Sequence, residues 1–181
     1  MAKTKTSLKR GRLLDAKTLA DPAYSKFLLE DSPFYLIART SGRYAIDMQR
    51  ILKSVGMDIP RWRALMVLRE RNPSSVSEIA ERTVIQLSTV TRVVQRLEKQ
   101  GLVRLASRKT DGRKTDVTLT DKGKAAVERV RECASRIYRL AFHDFSAEEI
   151  EMLNALLRRA FDNLNFSAAP ARGPATDFPS R

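Results

Sequence analysis

The feature that most constrains the fold of this chain is a pair of short segments in which apolar and polar residues alternate. A polar stretch separates the two segments. Val103 and Leu105 precede the polar stretch, and Val117 and Leu119 follow it with the same spacing. Alternation of this kind is typical of strands that bury one face. Asp111-Gly112 lies between the runs, and both residue types tolerate the positive φ that a tight hairpin turn requires. The sequence therefore predicts a β-hairpin with its turn at Asp111-Gly112.

The hairpin segment is basic, and its cations are expected around the turn. Residues 102–124 carry seven lysines and arginines against three aspartates, a net charge of +4. A thin two-stranded loop can follow a DNA backbone and place an arginine in the minor groove, where the negative potential is high. The cations expected at the tip of the hairpin are Arg108, Lys109, Arg113 and Lys114.

A helix-turn-helix is predicted directly before the hairpin. Ser75 and Glu78 have the spacing of a capping box that starts a short helix, and a turn is expected at 83–86. A second helix follows, and Gly101 suits a left-handed stop at its end. Its apolar residues recur at helical spacing, at Leu87, Val90, Val94 and Leu97. Two short helices with a tight turn, followed by a hairpin, predict a winged helix-turn-helix.

The second of these helices carries the side chains that we expect to meet the major groove. Residues early on a recognition helix usually contact base edges or phosphates. Arg92 is the predicted base contact, because arginine can bind O6 and N7 of guanine with two hydrogen bonds. Ser88, Thr89 and Gln95 suit phosphate contacts equally well. The whole candidate set on this helix is Ser88, Thr89, Thr91, Arg92 and Gln95.

The net charge of the whole chain agrees with a polyanionic partner. The formal charge is +13, from 34 lysines and arginines against 21 acids. The first twelve residues contribute +5 of this excess and contain no acid. A basic arm of this kind either contacts DNA or is a solvated tail, and composition alone leaves both open.

The chain lacks the usual marks of an enzyme or a metalloprotein. Cys133 and His143 are its only cysteine and histidine, which excludes an intramolecular disulfide and leaves no zinc-binding set. There is no glycine-rich phosphate-binding motif and no recognisable Ser/His/Asp arrangement. No apolar run approaches the roughly eighteen residues of a membrane span. We therefore expect a cytoplasmic protein that is not an enzyme, with no cofactor, metal or membrane partner.

Longer helices are expected on both sides of the winged unit. They are predicted at Ser32-Pro33 to Gly56, Pro60 to Asn72-Pro73, Thr120 to about Phe145, and Ser146-Glu149 to Leu164. The first and last carry apolar stripes that the winged unit cannot cover alone, so we expect them to pack against a second subunit. The alternative is burial within one chain. Such a homodimer would place two recognition helices in successive major grooves, about 34–36 Å apart, on a pseudo-palindromic operator.

The predicted fold class is mostly α with a small β-hairpin wing. Tyr24 to Leu29 is interpreted as a short ordered lead-in before the first long helix. We expect four segments: a basic arm and lead-in at 1–31, a helical dimerisation region at 32–58 and 121–165, a winged helix-turn-helix DNA-binding domain at 59–120, and a disordered tail at 166–181.

The order of these elements resembles the multiple antibiotic resistance regulator (MarR) family over residues 32–165. The wing pattern of that family is an aspartate, any residue, an arginine, and a strand ending in Leu-Thr with a glycine soon after. The matching residues are Asp111, Arg113, Leu119, Thr120 and Gly123, and the preceding STVTRVVQRLEKQGLV is equally typical. The resemblance implies that Arg113 enters the minor groove and that Asp111 restrains a nearby arginine. Alternatively, Asp111 only shapes the turn.

Members of that family commonly respond to small aromatic acids, or to thiol oxidation, through a pocket between the dimerisation helices and the DNA-binding lobe. An arginine beside an aromatic wall would bind an aromatic carboxylate or an aromatic acyl thioester of coenzyme A. The candidates are Arg39, Arg43, Trp62, Arg63 and Tyr138. The alternative is that the arginines are solvated and Trp62 belongs to the core. Cys133 is interpreted as a small apolar residue rather than a sensor.

The leading functional interpretation is a dimeric, ligand-responsive transcriptional regulator, a repressor, that binds double-stranded operator DNA and is released by a small anionic aromatic effector. The alternative is a constitutive or architectural DNA-binding protein without an effector. Weak sequence preference and a steep dependence on salt would favour that alternative.

Overall fold

The computed structural model describes residues 15–108 and 111–167, except for the side chains at 111–114 and 167. The predicted N-terminal arm up to residue 14, the predicted tip residue Lys109 and the predicted tail from residue 168 lie outside this description. The described elements in chain order are α1 (Ala16–Leu19), a 3-10 turn (Leu29–Asp31), α2 (Pro33–Ser54), α3 (Ile59–Glu70), β1 (Ser74–Ser75), α4 (Val76–Thr83), α5 (Leu87–Lys99), β2 (Val103–Arg108), β3 (Asp111–Leu119), α6 (Asp121–Ala141) and α7 (Ala147–Ser167).

The fold is mostly helical with one small antiparallel sheet, as the sequence predicts. The chain divides into two compact units, and the boundary between Ile137 and Tyr138 falls inside α6. The first unit contains the helix-turn-helix, the sheet and the hydrophobic core. Its largest fully buried apolar side chains come from α2 to α6 and are Met48, Leu52, Leu65, Leu68, Ile79, Val90, Val94, Leu97, Val117, Val127 and Val130.

Local sequence signals explain where the helices of the first unit begin. The Ser32 hydroxyl accepts a hydrogen bond from the Tyr35 amide at the start of α2, and Asp58 does the same for the Arg61 amide at the start of α3. Ser75 and Glu78 form the predicted capping box of α4, with both reciprocal hydrogen bonds present. These contacts satisfy amide groups that have no partner within the first helical turn.

The turn between α4 and α5 is short because the chain reverses through a left-handed residue. Val84 has φ of 54° at the end of α4, an uncommon conformation for a β-branched residue. α5 begins three residues later, so α4 and α5 form the predicted helix-turn-helix. At the other end of α5, Gly101 has φ of 70°, which confirms the predicted left-handed stop.

The sheet has three strands in the order β1-β3-β2, all antiparallel. The predicted hairpin is present, and Val103 pairs with Leu119 at its base. The third strand was not predicted, because β1 has only the two residues Ser74–Ser75 and no alternating pattern of its own. It pairs with β3 opposite Val117 and Asp116, which attaches the hairpin to the start of α4.

The predicted position of the hairpin turn was wrong. β3 begins at Asp111, and Asp111 pairs with Arg108, so the Asp111-Gly112 pair belongs to the strand. The strands also shift register between Ser107 and Arg108, because Ser107 pairs with Thr115. A local Asp-Gly signal favours a turn, but pairing along both strands decides where the chain reverses.

Two further expectations about helix boundaries need correction. A short helix, α1, lies at Ala16–Leu19, capped by the Asp15 carboxylate, whereas the sequence predicted order only from Tyr24. The long helix α6 ends at Ala141 rather than near Phe145.

The described part of the second unit consists of the end of α6, a short connection and α7. Phe142 packs against Tyr138 and Phe145, with ring centroids 5.1 Å and 5.3 Å apart. The predicted capping pattern at the start of α7 is confirmed, because Ser146 and Glu149 exchange side-chain to backbone hydrogen bonds of 2.8 Å and 3.2 Å. α7 buries none of its described side chains within this chain.

Candidate nucleic-acid interface

The polar face of α5 is exposed while its apolar face lies in the core. Val90, Val94 and Leu97 are buried, and they hold the helix against α3 and α4. The predicted contact residues on the other face are exposed and are Ser88, Thr89, Arg92 and Gln95. The helix therefore presents two hydroxyls and a cation to solvent in the first half of its length, where recognition helices usually meet DNA, and the Gln95 amide just beyond it.

Two residues of α5 differ from the other predicted positions. Thr91 is half-buried, and its hydroxyl donates to the Leu87 carbonyl at 2.8 Å, so only its oxygen lone pairs remain for DNA. Leu87 was predicted on the apolar face, but 52% of its surface is exposed. It lies at the first turn of the helix, before α5 reaches the core.

The C-terminal end of α5 is tied to the start of α3 by a nearly buried arginine. Arg61 donates from Nη1 to Gln100 Oε1 at 3.0 Å, and its Nε lies 3.1 Å from the Asp58 carboxylate. The same carboxylate lies 3.7 Å from Arg96 Nη1 on α5. Sequence reasoning missed this connection. The Asp58-Arg61 spacing of three residues was visible, but Gln100 is 39 residues from Arg61 and no local pattern links them.

The stem of the wing holds a second group of charged residues. The Arg108 guanidinium contacts the Asp116 carboxylate through Nε at 2.8 Å and Nη2 at 2.6 Å. Its Nη2 also lies 3.6 Å from Glu78 Oε2 at the start of α4. Arg108 was predicted at the tip of the wing, but it ends β2 and lies against these two carboxylates. Asp116 and Glu78 were not among the predicted site residues.

Glu78 is held in its ionised form by its surroundings. Its carboxylate accepts a 2.6 Å hydrogen bond from the Ser75 amide, and this bond is the main reason why the pKa of Glu78 lies below its ordinary value. The Ser75 hydroxyl and the positive charge of Arg108 lower this pKa further. A negative charge at the first turn of α4 also suits the helix dipole.

Two further wing residues of the predicted site lie where the pairing of the two strands is irregular. Arg113 and Lys114 belong to β3 between Asp111 and Thr115, the successive partners of Arg108 and Ser107. Two adjacent residues on β2 thus pair with β3 residues four positions apart. Bulges of this kind change the direction of side chains at the edge of a sheet. The side chains of Asp111, Arg113 and Lys114, and the whole of Lys109, lie outside the described residues, so their roles stay predictions.

The five candidate effector residues do not form one described group. Arg39 is exposed on α2, with its guanidinium 5.5 Å from the centroid of the Tyr35 ring. Arg43 is bound to the Asp47 carboxylate at 3.0 Å, and Arg63 is exposed on α3. Tyr35 was not among the predicted site residues, although its spacing of four residues from Arg39 puts both on one helix face.

The two aromatic candidates lie in different surroundings. Trp62 is only 7% exposed and belongs to the hydrophobic core of the first unit, which agrees with the alternative interpretation of this residue. Tyr138 belongs to the second unit, where it packs on Phe142.

A cavity of about 270 Å³ opens near the base of the wing, and none of the five effector candidates lines it. Its lining residues come from α3, the loop after it, β3 and α6, and are Leu68, Arg69, Asn72, Leu119, Lys124, Val127 and Glu128.

Across the described ranges, the helices are too short or too polar for any of them to cross a lipid bilayer.

Known proteins share this arrangement of elements and much of the sequence. A sequence model described as the MarR family matches residues 55–114. The HTH-type transcriptional repressor IacR of Pseudomonas putida is 40% identical over 144 residues, which cover 80% of this chain and 86% of the relative. The homoprotocatechuate degradative operon repressor of Escherichia coli is 29% identical over 107 residues, covering 59% of this chain and 72% of that protein.

The fold is also that of a solved regulator. BpsR of Bordetella bronchiseptica, whose DNA binding is regulated by 6-hydroxynicotinic acid, superposes with a TM-score of 0.63 at 27% identity. The match covers 70% of this chain and 96% of BpsR. The exposed recognition helix and the hairpin that follows it indicate the same family as the similarity to a repressor over most of its length. This chain belongs to the MarR family of winged helix-turn-helix transcriptional regulators.

Proposed function

We propose that this protein is a dimeric transcriptional repressor that binds a pseudo-palindromic operator and is released by a small anionic aromatic compound. The observation that carries the proposal is the exposed polar face of α5, directly followed by a basic wing. A helix of this kind fits the major groove, and a basic loop beside it suits the adjacent phosphates and minor groove.

The proposed DNA contacts fall into two groups. On α5, Arg92 reads a base edge, while Ser88, Thr89, Thr91 and Gln95 contact bases or phosphates. On the wing, Arg113 enters the minor groove, with Lys109, Asp111 and Lys114 close to it. Arg108 is not included, because Asp116 and Glu78 hold its guanidinium.

A homodimer is supported by the apolar surface that the chain leaves exposed. Large apolar side chains between residues 34 and 46 of α2 and along α7 remain in contact with solvent, although the first unit has a well-packed core. The exposed residues on these helices include Phe34, Leu36, Ile37, Tyr44, Ile46, Met152, Leu156, Leu157, Phe161, Leu164 and Phe166. An exposed apolar surface of this extent is typical of a subunit interface.

The effector class is supported by two relatives and by the candidate residues of α2 and α3. A repressor of homoprotocatechuate degradation and a regulator that responds to 6-hydroxynicotinic acid are among the similar proteins. Both compounds are aromatic acids. Arg39, next to the Tyr35 ring, and the exposed Arg63 are cations that would bind such a carboxylate or its coenzyme A thioester. The effector must bind the DNA-free geometry more tightly than the DNA-bound one to cause release.

A competition titration tests this function directly. Purified protein is titrated at physiological salt with the DNA upstream of its own gene and with unrelated DNA, with and without aromatic acids and their coenzyme A thioesters. We expect a preference for its own promoter of about 10³-fold or more, and release by one compound. Equal binding to both DNAs without release would instead establish the architectural alternative.

Replacing Arg113 by alanine tests the wing. The Arg113→Ala variant should bind the operator at least tenfold more weakly, because a minor-groove arginine is lost, and it should unfold at the same temperature as the wild type. Arg104→Ala, at an exposed position of β2, is the matched control for loss of one cation from the hairpin. Equal operator affinities of the wild type and Arg113→Ala would remove Arg113 from the interface.

Replacing Arg39 by alanine tests the proposed effector site. Arg39→Ala should require about tenfold more effector for release, because the carboxylate loses a charged partner, while its DNA affinity without effector should stay within about twofold. Arg50→Ala removes a cation from the same helix near Asp47 and serves as the control. An unchanged response of Arg39→Ala would exclude this arginine as the anion-binding group.

A further inference from the structure

We propose that Arg108, Asp116 and Glu78 form a clamp that sets the position of the wing relative to the helix-turn-helix, so that Arg108 and Asp116 position the DNA-binding surface without contacting DNA. The inference rests on the proposed operator binding and deepens it. It assigns a role to Arg108 and Asp116, which the proposed interface leaves unexplained. Asp116 is an acid within a basic DNA-binding element.

The clamp connects three parts of the first unit. Arg108 ends β2, Asp116 lies in the middle of β3, and Glu78 lies in the first turn of α4. The guanidinium binds Asp116 through two nitrogens and approaches Glu78 with one of the same nitrogens. Both strands of the wing are therefore joined to α4 through one planar cation, whose fixed fork geometry restrains direction as well as distance.

Both carboxylates are themselves held in place. Glu78 is part of the capping box and accepts the Ser75 amide at 2.6 Å. Asp116 lies opposite Ser75 in the β1-β3 pairing and opposite Ala106 in the β2-β3 pairing. Since two fixed acids hold Arg108, the stem of the wing cannot swing away from α4 without separating an ion pair.

The clamp matters for DNA because α4 also packs against the recognition helix. The wing and α5 must meet the same operator at once, one in the minor groove and one in the major groove. A loose wing would lose conformational freedom on binding, and this entropic cost would reduce operator affinity even if every contacting side chain were present. The partly buried positions of Arg108 and Asp116, with 28% and 22% of their side chains exposed, agree with an internal restraint.

The two roles open to Arg108 predict opposite effects for its partner. If Arg108 contacted phosphate and Asp116 were only a nearby acid, removing the negative charge of Asp116 should strengthen DNA binding. If Asp116 holds the clamp, the same change should weaken operator binding although it makes the protein more positive. The sign of the effect of Asp116→Asn therefore separates the two roles.

The experiment compares Arg108→Gln, Asp116→Asn and the double variant in binding to operator and to unrelated DNA over a range of salt concentrations. We expect each single variant to bind the operator about tenfold more weakly, and the double variant to be no weaker than either, since both changes break one contact. The salt dependence should stay that of the wild type. Arg104→Gln and Glu81→Gln, at exposed positions of β2 and α4, control for the charge changes.

A charge-conserving variant provides a comparison. Arg108→Lys keeps a cation beside Asp116 and Glu78, so it should retain more of the operator affinity than Arg108→Gln. Stronger or equal operator binding by Asp116→Asn would overturn the clamp. So would a salt slope that falls by about one phosphate contact in Arg108→Gln but not in Arg104→Gln, because Arg108 would then contact DNA.

Amide hydrogen exchange of the DNA-free protein tests the clamp independently of operator binding. Faster exchange in β2 and β3 of both Arg108→Gln and Asp116→Asn, at unchanged exchange of α3, supports the clamp, and unchanged exchange in the two strands contradicts it. If the wild type shows no preference for an operator, the proposed function fails, and the exchange measurement still decides whether the clamp exists.

Discussion

Gly123 and Gly42 are the same residue type in opposite surroundings. Gly123 lies in the first turn of α6, where a Cβ atom would come within 2.0 Å of the Leu102 carbonyl oxygen and 3.0 Å of Leu119 Cδ2. The Gly123 amide also donates to the Thr120 hydroxyl at 3.0 Å. Around Gly42 in α2, a Cβ atom would have no heavy-atom neighbour within 4 Å. The close approach of α6 to the start of β2 therefore requires glycine at position 123.

Alanine substitutions at these two positions should change stability in opposite directions. Gly123→Ala should lower the free energy of unfolding by about 3 kcal/mol, because the backbone of residue 102 must move to relieve the overlap. Gly42→Ala should raise it by about 0.5–1 kcal/mol, because alanine restricts the unfolded chain and favours the helix. Urea unfolding of both variants measures the two effects. Equal stability of Gly123→Ala and the wild type would mean that α6 does not approach β2 so closely.

Among the elements, α4 connects the sheet to the recognition helix, and its capping box is coupled to pH. Folding lowers the pKa of Glu78, chiefly through the hydrogen bond from the Ser75 amide. A carboxyl whose pKa is lower in the folded protein stabilises the fold above the pKa of the unfolded chain. This contribution is lost as the pH falls through the pKa of Glu78 in the folded protein.

Glu78→Gln should therefore destabilise the protein in a pH-dependent way. Glutamine retains the shape of the capping box but cannot ionise. At pH 7, we expect the free energy of unfolding to fall by about 0.5–1 kcal/mol, as for a partly exposed charged contact. The difference from the wild type should shrink as the pH is lowered to about 4. Urea unfolding across this pH range measures it, with Glu81→Gln as control for the lost charge on α4. A constant difference would show that ionisation of Glu78 does not contribute.

At the scale of the whole molecule, the distribution of apolar surface favours the proposed dimer over a monomer. The first unit buries its core residues almost completely, whereas α7 has no buried side chain among its described residues. Leu156, Leu157, Phe161 and Leu164 recur along α7 at helical spacing and are all exposed in the single chain. Burial of a large apolar side chain contributes about 1.5–3 kcal/mol, so an α7 stripe provides a strong driving force for association.

Introducing a charge into this stripe should separate the subunits. Phe161→Arg should convert the protein to a monomer at micromolar concentration and reduce operator binding at least 100-fold, since one subunit contacts only one half-site. Ala155→Arg adds the same residue at an exposed position on the opposite side of the same helix and should leave both properties unchanged. Sedimentation equilibrium measures the mass, and a dimeric Phe161→Arg variant would exclude this face of α7 from the interface.

The local features of this protein were determined by the sequence itself. The capping residues Ser32, Ser75 and Ser146, the left-handed stop at Gly101 and the apolar spacing of α5 each depend on residues within a few positions of one another. Interactions over such short separations are encoded in spacing and residue type, so they were visible before the fold was known. The same holds for the exposed polar face of α5, and its relation to the following hairpin led to the family.

The tertiary structure alone decided the features that depend on distant residues. Strand pairing placed Asp111 in β3 rather than in the turn, and it made a strand of Ser74–Ser75, which has no pattern of its own. Folding also brought Arg108 to Glu78 and Arg61 to Gln100, across 30 and 39 residues of chain. The energies of such contacts depend on which surfaces meet, and no spacing within one segment records that.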